Sequence, residues 1–155
     1  MSDLSAILSA QAIDDDLVVA NKKALIQQLA TAAARLSCLA TKDIVACLNA
    51  REKIGSTGFG AGTAIPHGKI GGLDRVFGYF ARLSQPIDFQ AIDGLPVDLV
   101  FLLLSPPDAG AEHLKALATV SRVFRDRQAV AKLRGARSKD ALFALLAGVD
   151  ARDAA

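Results

Sequence analysis

The sequence predicts a single-domain α/β sandwich, in which a central mixed β-sheet is flanked by helices on both sides. Residues 97–104 are so continuously apolar that they fit a strand at the centre of a sheet covered on both faces. Helical periodicity occurs before and after this strand-rich middle, and the elements do not strictly alternate, which indicates a mixed sheet. No repeat or long linker divides the chain, so we expect one domain over residues 1–155, with 1–10 as an N-terminal segment and 148–155 as a flexible tail.

Two helices are predicted in the first third of the chain. Residues 22–37 carry an apolar stripe at helical spacing. Its members are Leu25, Leu29, Ala32, Ala33 and Leu36. A second helix should begin near Thr41, a plausible N-cap, and end around residues 54–55. The glycines of residues 55–62 then predict a loop.

Strands and further helices are predicted beyond this loop. β-Branched and aromatic residues predict a strand over 76–83, and the apolar run predicts a second strand over 97–104 that Pro106 and Pro107 end. Asp93–Gly94 predicts a turn between strand segments. The helical pattern then returns in three segments, at 111–125, 127–134 and 138–146, with Ser138 as a natural N-cap for the last.

The composition indicates a folded protein without a membrane span. Hydrophobic residues make up 52% and charged residues 22% of the chain, which is too apolar for a disordered protein. The longest purely apolar run, residues 99–104, is too short to cross a bilayer. Acidic residues bracket the weakly apolar N-terminal stretch, unlike in a signal peptide. We therefore expect a cytoplasmic protein with no membrane insertion.

Metals, cofactors and nucleic acids are not expected as partners. Cys38 and Cys47 belong to no CxxC pattern and have no paired histidines nearby, so a zinc site or a disulfide is disfavoured. The glycine-rich loop matches neither a Walker motif nor a dinucleotide fingerprint, which disfavours a nucleotide. Basic residues cluster over 122–139, but the net charge is only +2 and aromatic content is low, so a solvated surface explains them better than nucleic-acid binding.

His67 is the first candidate for chemistry, and it is one of only two histidines. Pro66 restricts the residue before it to extended backbone, and Gly68 removes bulk after it, so the imidazole should be exposed on a rigid segment. Phosphate oxygens could be bound by backbone N–H groups of the glycine loop and by three hydroxyl groups. These belong to Ser56, Thr57 and Thr63. A histidine that only hydrogen-bonds the loop together is an equally good interpretation of the local pattern.

Arg51 and His113 are weaker candidates when taken alone. Arg51 continues the apolar face of the second helix at its C-terminal end, which favours an arginine that packs along the helix and complements its dipole over one that binds phosphate. His113 opens the 111–125 helix on its apolar face, so a partly buried structural histidine is the default interpretation. A helix N-terminus nevertheless disfavours the protonated imidazole and attracts anions. A neutral His113 could therefore donate a hydrogen bond to a phosphoryl group.

Two segments carry a resemblance to a known family. The run from Arg51 to Lys69, REKIGSTGFGAGTAIPHGK, resembles the signature of the fructose/mannitol-type enzyme IIA domains of the bacterial phosphotransferase system. Residues 112–118, EHLKALA, resemble the helix that carries the family's second histidine. The resemblance covers nearly the whole chain. Phe59 and Ala61 depart from the residues most often found there, and neither is a phosphoryl-carrying group.

The resemblance implies a phosphoryl-carrier function. His67 would be phosphorylated on its ring, at Nε2, by the phosphohistidine of an HPr-type carrier protein, with Arg51 and His113 as the supporting pair. No metal or other cofactor is required. It also implies a mixed-sheet α/β domain flanked by helices.

Two physiological roles are open within this family. Sugar-transport enzyme IIA proteins pass the phosphoryl group to a cysteine on an enzyme IIB domain, whereas nitrogen-regulatory enzyme IIA proteins signal through partners that sense the state of the histidine. The 155 residues contain no IIB-like segment, and the stretches 4–8 and 13–16 resemble the start of the regulatory subgroup. We therefore expect the regulatory role, with sugar transport as the alternative.

The regulatory role also predicts a docking surface. Phosphorylation would place negative charge on a loop flanked by the apolar side chains of Phe59 and Ile65, so partners that bind the unmodified form should be released. Two other classes of function fit less well. These are an interaction module that never carries phosphate, and a small hydrolase using His67 with Asp74 or Asp93.

Overall fold

The structure, a computed structural model, describes residues 4–148, which form a six-stranded mixed sheet and five α-helices. The strands are β1 (Ile13–Leu17), β2 (Gly58–Gly60), β3 (Thr63–Ala64), β4 (His67–Lys69), β5 (Phe77–Ile87) and β6 (Val97–Ser105). The helices are α1 (Lys22–Ser37), α2 (Thr41–Glu52), α3 (Gly110–Arg125), α4 (Arg127–Gly135) and α5 (Lys139–Ala147), and a short 3₁₀ helix spans Leu4–Ala6. The predicted fold class is confirmed.

The strand order across the sheet is β1-β5-β6-β3-β2, and β4 pairs with β6 on the side that β3 occupies. β1 runs parallel to β5, β3 and β4 run parallel to β6, and the β5–β6 and β2–β3 pairs are antiparallel. β6 therefore lies at the centre, and its residues 99–105 are completely buried, as its apolar sequence predicts.

The residues of β4 show how the helices cover the two faces. Successive side chains of a strand point to opposite faces, so His67 and Lys69 share one face and Gly68 belongs to the other. A Cβ at Gly68 would overlap the sulfur of Cys47, which places α2 directly against that second face. Ser105, in register with Lys69, contacts His113 of α3 and so places α3 on the first face. The functional candidates therefore meet where two helices approach one strand pair.

Helix boundaries lie within one residue of the predicted ones, apart from the end of α2. Ser138 caps α5 as predicted, since its hydroxyl oxygen accepts the Ala141 N–H at 3.0 Å. Thr41 is wrong as an N-cap because it already lies inside α2, and Ala40 precedes it with extended backbone. α2 ends at Glu52, short of the predicted end. Leu36 of α1 is 40% exposed, because it lines an open groove with Ile7 and Phe77 instead of joining the core.

The strand predictions are incomplete at the sheet margins. β5 continues to Ile87, beyond its predicted end, and β6 ends at Ser105, directly before the proline pair. The expected loop of residues 55–62 contains β2, so the loop prediction is wrong for those three residues. The flexible tail is predicted over 148–155, of which 149–155 lie outside the described residues, as do 1–3 of the N-terminal segment. Within residues 4–148, no helix combines the length and the apolar character needed to cross a membrane.

Candidate functional site

His67 opens β4 with its imidazole held by the backbone. Its Nδ1 lies 2.7 Å from the carbonyl oxygen of Ile65. A carbonyl oxygen only accepts hydrogen bonds, so in this arrangement Nδ1 of the neutral ring carries the proton. The lone pair of the neutral ring is then on Nε2. The residue is half-buried, so part of it remains accessible.

Ile65 is fixed in turn by the loop that precedes it. Its N–H donates to the carbonyl oxygen of Thr57 at 3.0 Å, and its side chain is only 4% exposed. The prediction that the Ile65 side chain contributes to a docking surface is therefore wrong, because that side chain belongs to the core. Phe59 in β2 is 37% exposed and stays available for docking.

His113 lies beside His67, although the two are far apart in sequence. Their ring centroids are 5.7 Å apart and the ring planes are tilted by 50°. His113 is buried in the first turn of α3, and its Nδ1 lies 2.6 Å from the hydroxyl oxygen of Ser105. The Nε2 atom of His113 has no part in this hydrogen bond. The sheet register and the start of α3 thus bring the two histidines together.

Arg51 lies in the last turn of α2, close enough for its charge to act on His67. Its Nη1 donates to the carbonyl oxygen of Gly55 at 2.9 Å, which binds the start of the glycine loop to the helix end. The same guanidinium lowers the pKa of His67, while the neighbouring carboxylate of Glu52 raises it. All three predicted site residues therefore lie in one region.

Burial is the main cause of the lowered pKa of both histidines. It lowers the pKa of His67 further than the hydrogen bond to Ile65 raises it. Burial also lowers the pKa of His113, and the positive charges of His67 and Lys69 lower it further. Because an ordinary histidine titrates near pH 6.5, both rings are mainly neutral at pH 7. A neutral ring keeps the lone pair that a nucleophile needs.

The predicted phosphate-binding hydroxyl groups have partners inside the protein. The donors are Ser56, Thr57 and Thr63, and their acceptors are, in that order, Phe89 O at 3.1 Å, a carboxylate oxygen of Glu52, and Gly60 O at 2.8 Å. These hydrogen bonds stabilise the loop, and the role of the three hydroxyl groups at the phosphate stays a prediction. Among residues 4–148, no group of three or more histidine, cysteine or acidic side chains could hold a metal ion.

Comparison with known proteins decides which family this fold and site belong to. Residues 6–148 match the family model described as "Phosphoenolpyruvate-dependent sugar phosphotransferase system, EIIA 2". The chain belongs to this EIIA 2 family. A "Nitrogen regulatory protein" of Bradyrhizobium diazoefficiens is 47% identical over 144 residues, which cover 93% of this chain and 94% of that protein.

Solved structures of EIIA proteins share the fold. The crystal structure of "Nitrogen Regulatory Protein IIA-Ntr from Neisseria meningitidis" has a TM-score of 0.88 and 38% identity, covering 92% of this chain and 98% of that one. The IIA chain of an Escherichia coli "Complex of enzyme IIAMTL and phosphorylated enzyme IIBMTL" has a TM-score of 0.76 at 20% identity, covering 91% and 97%. The protein is a phosphoryl carrier of the EIIA type, close to the nitrogen regulatory proteins.

Two residues of this EIIA site are missed by sequence reasoning. Glu52 lies within the signature segment, but nothing in the local pattern shows that its carboxylate turns toward Thr57. Ser105 ends the completely buried run 99–105 of β6, and a polar residue at the end of an apolar strand is a signal that the sequence offers. Its partner His113 lies on the following helix, so only the fold reveals the contact.

Proposed function

We propose that His67 is the phosphoryl-carrying residue, that it is charged by an HPr-type phosphohistidine carrier, and that its phosphorylation state serves as a nitrogen-regulatory signal. One observation carries this proposal. The hydrogen bond from Nδ1 to Ile65 O leaves the Nε2 lone pair available on a half-buried ring beside a second histidine. A nucleophile held in a fixed direction is what phosphoryl transfer mainly requires.

The transfer is a displacement at phosphorus. The Nε2 lone pair of His67 attacks the phosphorus of the donor's phosphohistidine, roughly in line with the bond to the donor nitrogen. A new P–N bond forms to His67 as the donor's P–N bond breaks, and the electron pair of the broken bond returns to the donor imidazole. The Nδ1 proton stays on His67, hydrogen-bonded to the Ile65 carbonyl. No water and no metal ion takes part in this exchange.

The neighbours of His67 would stabilise the transferred group. Arg51 supplies positive charge near the ring, and its remaining N–H groups can bind equatorial phosphoryl oxygens. His113 can donate from Nε2 if Ser105 donates its hydroxyl proton to Nδ1, since the neutral ring has only one N–H. Lys69 lies on the same face of β4 as His67 and is close enough to lower the pKa of His113. These positive and donor groups suit a site whose occupant carries negative charge.

The similarity to regulatory proteins favours a signalling role. The relatives at 47% and 38% identity carry nitrogen regulatory names, whereas the mannitol-specific neighbour is only 20% identical. Phosphorylation adds close to two negative charges at the site. A partner that buries the exposed Phe59 together with the ring of His67 would have to desolvate that charge and would be released.

Sugar transport is the second candidate function. The mannitol-specific neighbour is described in complex with a phosphorylated IIB enzyme, and a IIB cysteine would be the acceptor here in that case. Efficient transfer from His67 to a sugar-specific IIB protein in purified components would favour this alternative over the regulatory role.

The first prediction tests the carrier residue. Wild-type protein incubated with phosphoenolpyruvate, enzyme I and an HPr-type carrier should gain one acid-labile phosphoryl group in intact-mass spectrometry, and the His67→Ala variant should gain none. His113→Ala is the matched control, because it removes the other histidine and should still accept the group, about tenfold or more slowly. The proposal is contradicted if His67→Ala becomes phosphorylated. It is also contradicted if the wild type accepts no phosphoryl group from either the general or the nitrogen-branch donors.

A further inference from the structure

The carboxylate of Glu52 occupies an unusual place at the end of α2. The Glu52 side chain is only 7% exposed, and its Oε1 forms an ion pair with the ammonium group of Lys22 at 2.8 Å. That ammonium group lies 4.5 Å from the ring centroid of Phe89. A carboxylate buried to this extent needs further hydrogen bonds to offset its desolvation.

Thr57 supplies those hydrogen bonds with both of its donors. Its backbone N–H donates to Glu52 Oε1 at 3.1 Å, and its hydroxyl group donates to Glu52 Oε2. The two bonds fix the position of the Thr57 peptide relative to the end of α2.

The Thr57 carbonyl oxygen continues this connection toward the reactive histidine. It accepts the Ile65 N–H at 3.0 Å, and the Ile65 carbonyl oxygen accepts from His67 Nδ1 at 2.7 Å. A chain of hydrogen bonds thus runs from Glu52 through Thr57 and Ile65 to the imidazole. Each group in it is a donor or an acceptor with a fixed direction, so displacement of one group displaces the next.

We propose that Glu52 is a positioning residue for phosphoryl transfer: through Thr57 and Ile65 it holds His67 with the proton on Nδ1 and the lone pair of Nε2 directed at the donor. This inference rests on the proposed carrier role of His67. The proton position of a neutral imidazole is decided by the hydrogen bond that one nitrogen makes. A carbonyl group that moves away from Nδ1 therefore frees the ring to rotate and to place its proton on Nε2, which removes the nucleophile.

A purely structural role for Glu52 is the competing explanation. In that case its ion pair with Lys22 would join α1 to α2, and its substitution would lower stability without changing the state of His67. Lys22→Met separates the two roles, because it breaks the ion pair and leaves the bonds between Glu52 and Thr57 in place. Thr57→Val does the opposite, since it removes the hydroxyl donor and keeps the ion pair.

The experiment measures the His67 ring directly in the unphosphorylated protein. Because the chain contains two histidines, long-range proton–nitrogen NMR spectra resolve the tautomer and the titration of each ring. Wild type, Glu52→Ala, Glu52→Gln, Thr57→Val and Lys22→Met are compared for the His67 tautomer, the His67 pKa, the thermal midpoint and the rate of phosphoryl transfer.

The wild type should hold the proton on Nδ1 of His67. Glu52→Ala and Thr57→Val should give a mixture of tautomers, and Glu52→Ala should lose about tenfold or more in transfer rate. Glu52→Gln should be intermediate, because its amide oxygen can replace one acceptor but not both. Glu52→Gln should also lower the pKa of His67, since the carboxylate charge raises it. Lys22→Met should lower the thermal midpoint but keep the wild-type tautomer and a rate within about twofold of wild type.

Three results would overturn the positioning role. The first is a wild-type tautomer and rate in Glu52→Ala, or in Thr57→Val if Glu52→Ala does not fold. The second is a loss of the Nδ1–H tautomer in Lys22→Met as large as in Glu52→Ala, and the third is a wild-type protein whose proton is on Nε2. Failure of wild-type protein to accept any phosphoryl group would refute the carrier role instead, because the NMR comparison does not depend on transfer.

Discussion

At the scale of single residues, the buried hydrogen bond between Ser105 and His113 decides how the second histidine acts. If the Ser105 hydroxyl group donates to Nδ1, the proton of the neutral ring is on Nε2. If the hydroxyl oxygen accepts from Nδ1, the proton is on Nδ1. Only donation by Ser105 leaves His113 with an Nε2–H that can donate to a phosphoryl group. Ser105 is completely buried and in register with Lys69, so β6 fixes its direction.

Substitution of Ser105 by alanine should therefore weaken the site without removing any group that touches phosphate. His113 would lose the partner of Nδ1, and an unsatisfied buried polar group costs about 1–3 kcal/mol. We expect a lower free energy of unfolding and a transfer rate reduced by about tenfold, because one donor to the transferred group is no longer oriented. Urea unfolding and rapid-quench phosphorylation measure the two effects. Wild-type transfer by Ser105→Ala would show that His113 acts without this hydrogen bond.

At the scale of secondary-structure elements, the contact between α2 and β4 sets the geometry of the site. α2 carries Arg51 and Glu52, and β4 carries His67. The two elements come close at Gly68, where Cys47 occupies the space that a side chain would need. The thiol of Cys47 also lies 3.4 Å from the carbonyl oxygen of Lys69, so helix and strand are in direct contact. A side chain at residue 68 therefore requires the Cys47 thiol to shift or α2 to move away from the strand.

A Gly68→Ala variant tests this contact. The added methyl group overlaps Cys47, and we expect a loss of stability of about 1–3 kcal/mol, as for other overpacked sites. Transfer should slow as well, because Arg51 moves with α2. The double variant with Cys47→Ala removes the sulfur and should recover most of both losses, and Cys47→Ala alone is the control. Additive effects in this double-mutant cycle would contradict a direct contact.

The elements that could be predicted from the sequence are those with long, uniform patterns. α1, α3 and β6 follow from their apolar periodicity, since burial of one face or of both faces dictates those residues. β1 could not be predicted, because its sequence Ile-Asp-Asp-Asp-Leu suits an edge strand whose partner, β5, is far away in sequence. β2, β3 and β4 have at most three residues each. β2 pairs with β3, and β3 and β4 pair with β6, a distant strand that local preference does not reveal.

The candidate site was predictable as a set of residues but not as a geometry. The pattern around His67 and the resemblance identify Arg51, His67 and His113. The directions of the neighbouring side chains depend on distant partners: the Ser56 hydroxyl donates to Phe89 O, and the side chain of Ile65 packs into the core. Such partners have no signature in a local pattern.

At the scale of the whole molecule, the two histidines couple stability to pH. Both have a pKa lowered mainly by burial, so the unfolded chain, with histidine values near 6.5, binds protons that the folded chain does not. The stability contributed by the neutral rings is complete at pH values well above 6.5 and is lost as the pH falls from there through the lower pKa values of the folded chain. Asp93, whose pKa is lowered mainly by the hydrogen bond from the Ala61 N–H, acts in the same direction but only at lower pH.

The free energy of unfolding should therefore fall between about pH 7.5 and 5.5, where carboxylates stay ionised and histidines titrate. A His67→Gln/His113→Gln double variant should lose most of this slope while keeping side chains of similar size. Urea unfolding at a series of pH values measures this slope, and equal slopes for the two proteins would contradict the assignment to these rings.

The same protons also occupy the Nε2 lone pair of His67, so transfer to the wild type should slow as the pH falls through the His67 pKa. If protonation of His67 causes the slower transfer, the transfer rate must fall with the same pH midpoint as the NMR titration of His67. If the two histidines cause the loss of stability, their titrations together must also account for the pH dependence of the free energy of unfolding.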